Sequence, residues 1–114
     1  MTMKSVLNYE SKYGNIPVEI VPKKYVGSNR MALIMLDALD GEPVTTITVN
    51  IPEAPLDDDE IIVKNYSENE GMLEFLVESG LVEDTGKFIQ TGFVIVNIVK
   101  MTEKLKSIIG ANLH

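Results

Sequence analysis

The densest set of oxygen ligands in the chain is the run Asp57-Asp58-Asp59-Glu60. Carboxylates in that number can hold a hard cation such as Ca²⁺ or Mg²⁺. The spacing argues against it, because an EF-hand loop alternates its ligands and needs glycine at its sixth position. A solvated acidic loop, or an acidic contact surface, accounts for the same residues. A second acidic row, Glu70, Glu74 and Glu78, recurs every four residues. On a helix that spacing makes one ridge, read either as a solvated face or as a surface for a basic partner.

Most other site chemistry lacks its residues. The chain has no cysteine, which removes disulfides, thiol nucleophiles and thiolate metal ligands. Its one histidine, His114, is the last residue, where side chains are seldom held in place. Transition-metal sites and Ser-His or Cys-His nucleophiles therefore have no centre to form around. Acid–base pairs can be drawn among seventeen acidic residues in many ways, and nothing singles one out. No glycine-rich loop precedes a helix in the phosphate-binding arrangement. No catalytic residue, metal ligand or cofactor is assigned, and the reading leans away from an enzyme.

The element that carries the second acidic row is the clearest helix in the sequence, Asn65 to Gly80. Ser67 and Glu70 have the spacing of a capping box. Gly80 suits the position after the helix end, where positive φ is needed. Met72, Leu73, Leu76 and Val77 share one arc, with Phe75 at its edge, and the three glutamates lie opposite. Gly71 is the misfit, costing roughly 1 kcal/mol inside a helix. It marks either a close backbone approach or chance.

Charge is strongly segregated. The chain carries a formal charge of −7, in which residues 53–84 contribute −10 and residues 85–114 contribute +3. An acidic field of that kind disfavours direct contact with DNA or RNA and favours a basic protein. No apolar run approaches the roughly 18 residues that a membrane span needs, and no secretory leader is evident. A cytoplasmic protein of one domain over residues 1–114 is expected.

The remaining elements read as strands. Lys4 to Tyr9 and Pro17 to Val21 are short ones, the second bounded by prolines that suit an edge. Gly14-Asn15 and Gly27-Ser28-Asn29 are turn signals. Met31 to Leu36 is wholly apolar, as in a central strand, with a short buried helix as the competing reading. Asp40-Gly41-Glu42-Pro43 is a turn, and Val44 to Ile51 alternates as a strand, giving a hairpin. Pro52 to Glu60 is a loop and Ile61 to Val63 a short strand. Glu83-Asp84-Thr85-Gly86 reads as a turn, Lys87 to Ile89 as the start of an extended segment, and Thr91-Gly92 as a break. Phe93 to Val99 is the strongest strand, dense in β-branched residues. Thr102 to Ile109 is a short final helix, capped by Thr102 and ended by Gly110. The expected fold is α+β: a mainly antiparallel sheet of about five strands, one well-formed central helix and a short C-terminal helix. Tyr9, Tyr13, Tyr25 and Tyr66 are either contact aromatics or half-buried core.

Taken together, Thr48-Val49-Asn50-Ile51-Pro52, Lys64-Asn65-Tyr66-Ser67-Glu68-Asn69-Glu70-Gly71, Thr85-Gly86 and Thr91-Gly92-Phe93-Val94 resemble a family of small acidic bacterial proteins. Tyr13-Gly14 and Asp40-Gly41-Glu42-Pro43 fit the same likeness, which spans roughly residues 9–100. Members are encoded on phages, plasmids and conjugative elements, and the family has no assigned chemistry. The resemblance implies an accessory gene of a mobile genetic element and a bacterial or phage-infected cytoplasm.

Three kinds of function are then open. The first is a non-enzymatic accessory protein acting by protein–protein contact through residues 53–84. Asp57, Asp58, Asp59, Glu60, Glu70, Glu74 and Glu78 would form its candidate surface. Its sharper form is a nucleic-acid-mimicking inhibitor of a host defence protein. The second is a small-molecule-binding domain or enzyme with a sheet–helix cleft near Asn50, Tyr66 and Asn69. The third is a homo-oligomer formed through an exposed strand edge such as Phe93 to Val99.

Overall fold

The computed structural model describes residues 6–11, 14–27 and 30–111. His114, Tyr13, Lys4 and the Ser28-Asn29 part of the second turn signal lie outside them. The chain is α+β, with antiparallel strands in two sheets. The first holds β1 (Leu7–Ser11), β2 (Gly14–Lys24), β3 (Met31–Asp37) and β4 (Pro43–Thr46) in sequential order. The second holds β5 (Glu60–Val63), β6 (Val82–Thr91) and β7 (Val94–Met101), in the order β5-β7-β6. Helix α1 (Met72–Glu78) packs on β6, and α2 (Glu103–Ala111) packs on β2 and β7. Among the described residues no helix is long and apolar enough to cross a membrane.

The apolar run Met31 to Leu36 is an inner strand, as its composition requires, lying between β2 and β4. β2 is inner too, which corrects the edge position inferred from Pro17 and Pro22. The Pro17 carbonyl accepts from the Ala38 amide, so Pro17 turns its main chain to the β3 side, just past the last β2–β3 pair at Val18. Pro22, an odd number of residues on, faces the β1 side, where the described register stops at Leu7–Val18. Each proline sits where the ladder has no use for its missing N–H.

The alternating segment Val44 to Ile51 does not continue as one strand. After Thr46 it crosses between the sheets. The Ile47 amide donates to the Leu33 carbonyl at 2.8 Å, while the Ile47 carbonyl accepts from Lys64 at 2.8 Å. Thr48 bridges to Val63, and the Val49 amide donates to Ile62. Three residues thus join the two sheets and count as neither.

Glu83 to Gly86 is likewise not a turn between elements. It is a bulge inside β6, with a register shift between Asp84 and Lys87 and Gly86 at φ +79°. Side chains close it: the Thr85 hydroxyl donates to the Ile98 carbonyl at 2.6 Å, and Asp84 Oδ1 accepts from the Gly86 amide at 3.0 Å. The break expected at Thr91-Gly92 falls one residue later: Gly92-Phe93 is the two-residue turn of the β6–β7 hairpin, closed by the pair Thr91 and Val94, so the last strand starts at Val94 and not at Phe93.

One apolar core fills the space between the four-stranded sheet, the helices and the inner face of the second sheet. Val18, Ile20, Leu33, Met35, Met72, Leu76 and Leu105 are fully buried in it. A smaller cluster lies on the far face of the second sheet, where Ala54, Ile62, Val96 and Ile98 pack under residues 49–56 and Tyr66. The Arg30 guanidinium fastens that cover by donating to the carbonyls of Ile51 (3.0 Å) and Ala54.

Candidate functional site

The segment Asn65 to Gly80 positions the acidic row, and its observed form differs from a single helix. Residues Ser67–Asn69 make one 3₁₀ turn, and α1 starts at Met72 after Gly71. The Ser67–Glu70 capping box does not form. The Glu70 amide donates to the Ser67 carbonyl, not its hydroxyl, and Ser67 itself has φ +58°. The tether is tertiary. Asn69 is fully buried, accepts from the Thr45 hydroxyl at 2.5 Å and donates to the Thr46 carbonyl at 2.7 Å. Those bonds fix the 3₁₀ turn against β4 and outweigh the local preference for a continuous helix.

Gly71 then takes φ +92°, where a side chain is strained, and a Cβ there would meet nothing within 4 Å. Its role is conformational, not a close approach. The freed N-terminus of α1 is satisfied from outside the helix: Asn65 Oδ1 accepts from the Leu73 amide at 2.8 Å. At the other end the Leu81 amide donates to Leu76 and the Gly80 amide to Val77, a Schellman cap with Gly80 at φ +73°. Phe75 packs edge-on against Tyr9 at 5.1 Å between ring centroids, and Val77 is left exposed. The arc has rotated by about one residue from the expected one.

These details divide the candidate acidic surface. Glu70 lies before the left-handed glycine, so it is off the helical row of Glu74 and Glu78. All three are exposed. Glu74 and Glu78 make no ion pair among the described residues. They flank a shallow groove of about 290 Å³ whose other walls include Asn8, Phe75 and, from β1, Glu10. Glu10 is a member that sequence reasoning missed, since no local signal ties it to a helix some sixty residues later.

The other half of the candidate surface behaves differently. Glu60 is only 8% exposed. Its Oε1 accepts from the Asp57 amide at 2.9 Å and its Oε2 pairs with Lys87 Nζ at 2.6 Å. The Asp57 amide, then the Lys87 ammonium, hold its carboxyl below the ordinary 4.5. Lys87 is correspondingly raised, chiefly by Glu60. Asp59 lies 3.7 Å from Lys100, and its carbonyl accepts from the Met101 amide. Asp59 and Glu60 thus belong to the fold, and only Asp57 and Asp58 of the run are exposed. Among the described residues no three His, Asp or Glu side chains converge as a metal site. Glu68 is also paired, with Lys64, which holds its carboxyl down at about 2.

Asn50, Tyr66 and Asn69 line neither the groove on α1 nor the cleft between the sheets. Asn69 is buried and bonded, Tyr66 covers the smaller core with Lys64 Nζ 5.4 Å from its ring centroid, and Asn50 is exposed. The larger cleft, about 320 Å³, opens between the sheets beside Tyr25, Arg30, Leu56, Asp57 and Asp58. Its Tyr25 hydroxyl is 2.8 Å from the Thr48 hydroxyl. Distant segments build it, so the sequence carried no sign of it. Comparison with known proteins yields no matching family model, no similar curated protein and no similar solved structure.

Proposed function

We propose that the protein acts by contact, as a non-enzymatic accessory factor that holds a basic protein against its acidic face. The observation that carries this reading is the uneven pairing of its carboxylates. Asp59, Glu60 and Glu68 are ion-paired, whereas Glu74 and Glu78, which flank an acidic groove with Glu10, are in no ion pair among the described residues, the Lys104 ammonium at the end of that groove donating instead to the Ser79 carbonyl at 2.7 Å. An uncompensated field of one sign steers a partner of the opposite sign and makes the contact sensitive to salt. The resemblance in sequence supports a setting on a mobile element, where such a partner would belong to the host or to a competing element.

The test is affinity capture from a bacterial host with the wild-type chain and with Asp58→Lys/Glu74→Lys/Glu78→Lys. A basic protein should be retained by the first, released by salt, and lost by the second. Capture that the reversals leave unchanged refutes the acidic-face reading. If duplex DNA displaces the captured protein, the sharper form holds, and the chain mimics nucleic-acid charge to block a DNA-binding protein.

A second reading, small-molecule binding, is favoured by the 320 Å³ cleft, whose size is at the lower end for ligand sites. It requires that small amines or amino acids shift the amide resonances of Tyr25, Leu56 and Asp58 in NMR titrations. A flat response across a broad ligand set dismisses it.

A further inference from the structure

The second sheet ends on β6, which has β7 on one side and no described strand on the other. The register decides which main-chain groups face that open side. The Met101 amide donates to the Asp59 carbonyl, so odd-numbered positions of β7 face β5 and even-numbered ones face β6. Val94, Val96 and Ile98 stand opposite Thr91, Ile89 and Lys87. Phe88 and Gln90 therefore turn their N–H and C=O groups outward. β7 itself is the middle strand, so the edge expected at Phe93 to Val99 is in fact on its neighbour. The bulge at Asp84 to Lys87 blunts the first half of β6, as bulges commonly do at sheet edges. The second half has no such protection.

The side chains beside that edge are apolar. Phe88 is 61% exposed, Ile95 53%, and Phe93 at the hairpin tip completely so. Phe88 stands opposite Asn97 and Ile95 opposite Gln90, which puts Phe88 and Ile95 on one face. The three side chains present roughly 400 Å² per copy, given the usual size of such residues. Other exposed apolar residues, such as Val26 and Leu39, stand singly in turns.

Charge selects the occupant. Two copies of a chain carrying −7 repel each other wherever acidic faces meet. Residues 85–99 contain Lys87 and no acidic residue, and Lys87 is already paired with Glu60. The hairpin is thus a long stretch on which two copies can meet without opposing carboxylates. Outward main-chain donors and acceptors on β6 are also complementary to those of the same strand run antiparallel, so a two-fold axis satisfies both at once.

We propose that β6 pairs antiparallel with β6 of a second copy over Phe88 to Gln90, joining the two sheets edge to edge. The apolar area from both copies, roughly 800 Å², is below that of a standard stable interface, so the dimer is weak.

Sedimentation of the full chain from micromolar to millimolar concentration tests this. The mass should rise toward two copies, and the amides of Phe88 and Gln90 should exchange more slowly as it does. Gln90→Pro removes only an outward N–H, and Ile95→Lys places charge in the apolar patch. Each should raise the dissociation constant about tenfold or more. Circular dichroism in dilute solution shows which variants keep the fold, and if one does not, the other decides. Added salt should strengthen this dimer by screening like charges, the opposite of its effect on a basic partner, so the two contacts are separable. A chain that stays monomeric at millimolar concentration overturns the proposal and leaves the edge to a strand of another protein. Association that both folded variants leave unchanged also overturns it.

Discussion

At the start of β5 two acidic side chains, Asp59 and Glu60, are tied down, whereas Glu74 and Glu78 on α1 are not. Asp59 lies beside Lys100, and Glu60 is sealed under Lys87 with a backbone amide on its other oxygen. Glu74 and Glu78 stand on the outer side of α1 beside Glu10. The residue types are the same and the surroundings differ. The register of the second sheet sets Glu60 opposite Lys100, and β6 brings Lys87 within reach. Helix α1 has its apolar side against the sheet, through Met72 and Leu76, and among the described residues its outer Glu74 and Glu78 form no ion pair, Lys104 at the helix end being spent on the Ser79 carbonyl. A carboxylate is thus tied into the fold or left exposed according to the strand that passes it.

The comparison can be broken at the tether that sets the helix in place. Asn69→Ala should be the most destabilising of the changes considered, by about 1–3 kcal/mol, because it removes a fully buried amide and leaves the part-buried Thr45 hydroxyl and Thr46 carbonyl without their partner. Urea denaturation measures it, and a loss under about 0.5 kcal/mol would mean that water replaces the amide.

Glu60→Gln should have a smaller effect, and one that depends on pH. The folded carboxyl titrates below its ordinary 4.5, so its contribution is present above that value and is lost as pH falls through the folded pKa. The wild-type stability should therefore decline below about pH 4.5 more steeply than that of the variant. Parallel acid limbs would mean that Glu60 is not the group responsible.

Glu74→Lys with Glu78→Lys should have the least effect on folding, within about 0.5 kcal/mol, as is usual for exposed positions. A large destabilisation would show that α1 needs those carboxylates for its own stability. That outcome would remove the contrast between the two regions.

Where sequence and structure part, the cause is consistently a contact between distant segments. The hairpin turns, the inner strand β3, the Gly80 cap and the Thr102 cap, whose hydroxyl accepts from Leu105 at 3.3 Å, rest on residues within a few positions of each other. The capping box failed because Asn69 had a stronger partner on β4. The turn at Glu83 to Gly86 became a bulge because β7 ran alongside it. Gly110, expected to end α2, lies within it. Of the candidate surface, the residue types and the row Glu74 and Glu78 were legible in the sequence. The burial of Glu60 and the arrival of Glu10 were not.

The sequence by itself determined the class of the fold, the periodicity of its strands and helices, and the excess of acid in residues 53–84, because these are properties of neighbours and of composition. Tertiary structure decided which acids were spent. Pairing register, and not proximity along the chain, set Lys87 and Lys100 against one acidic group and left the other on α1 facing outward.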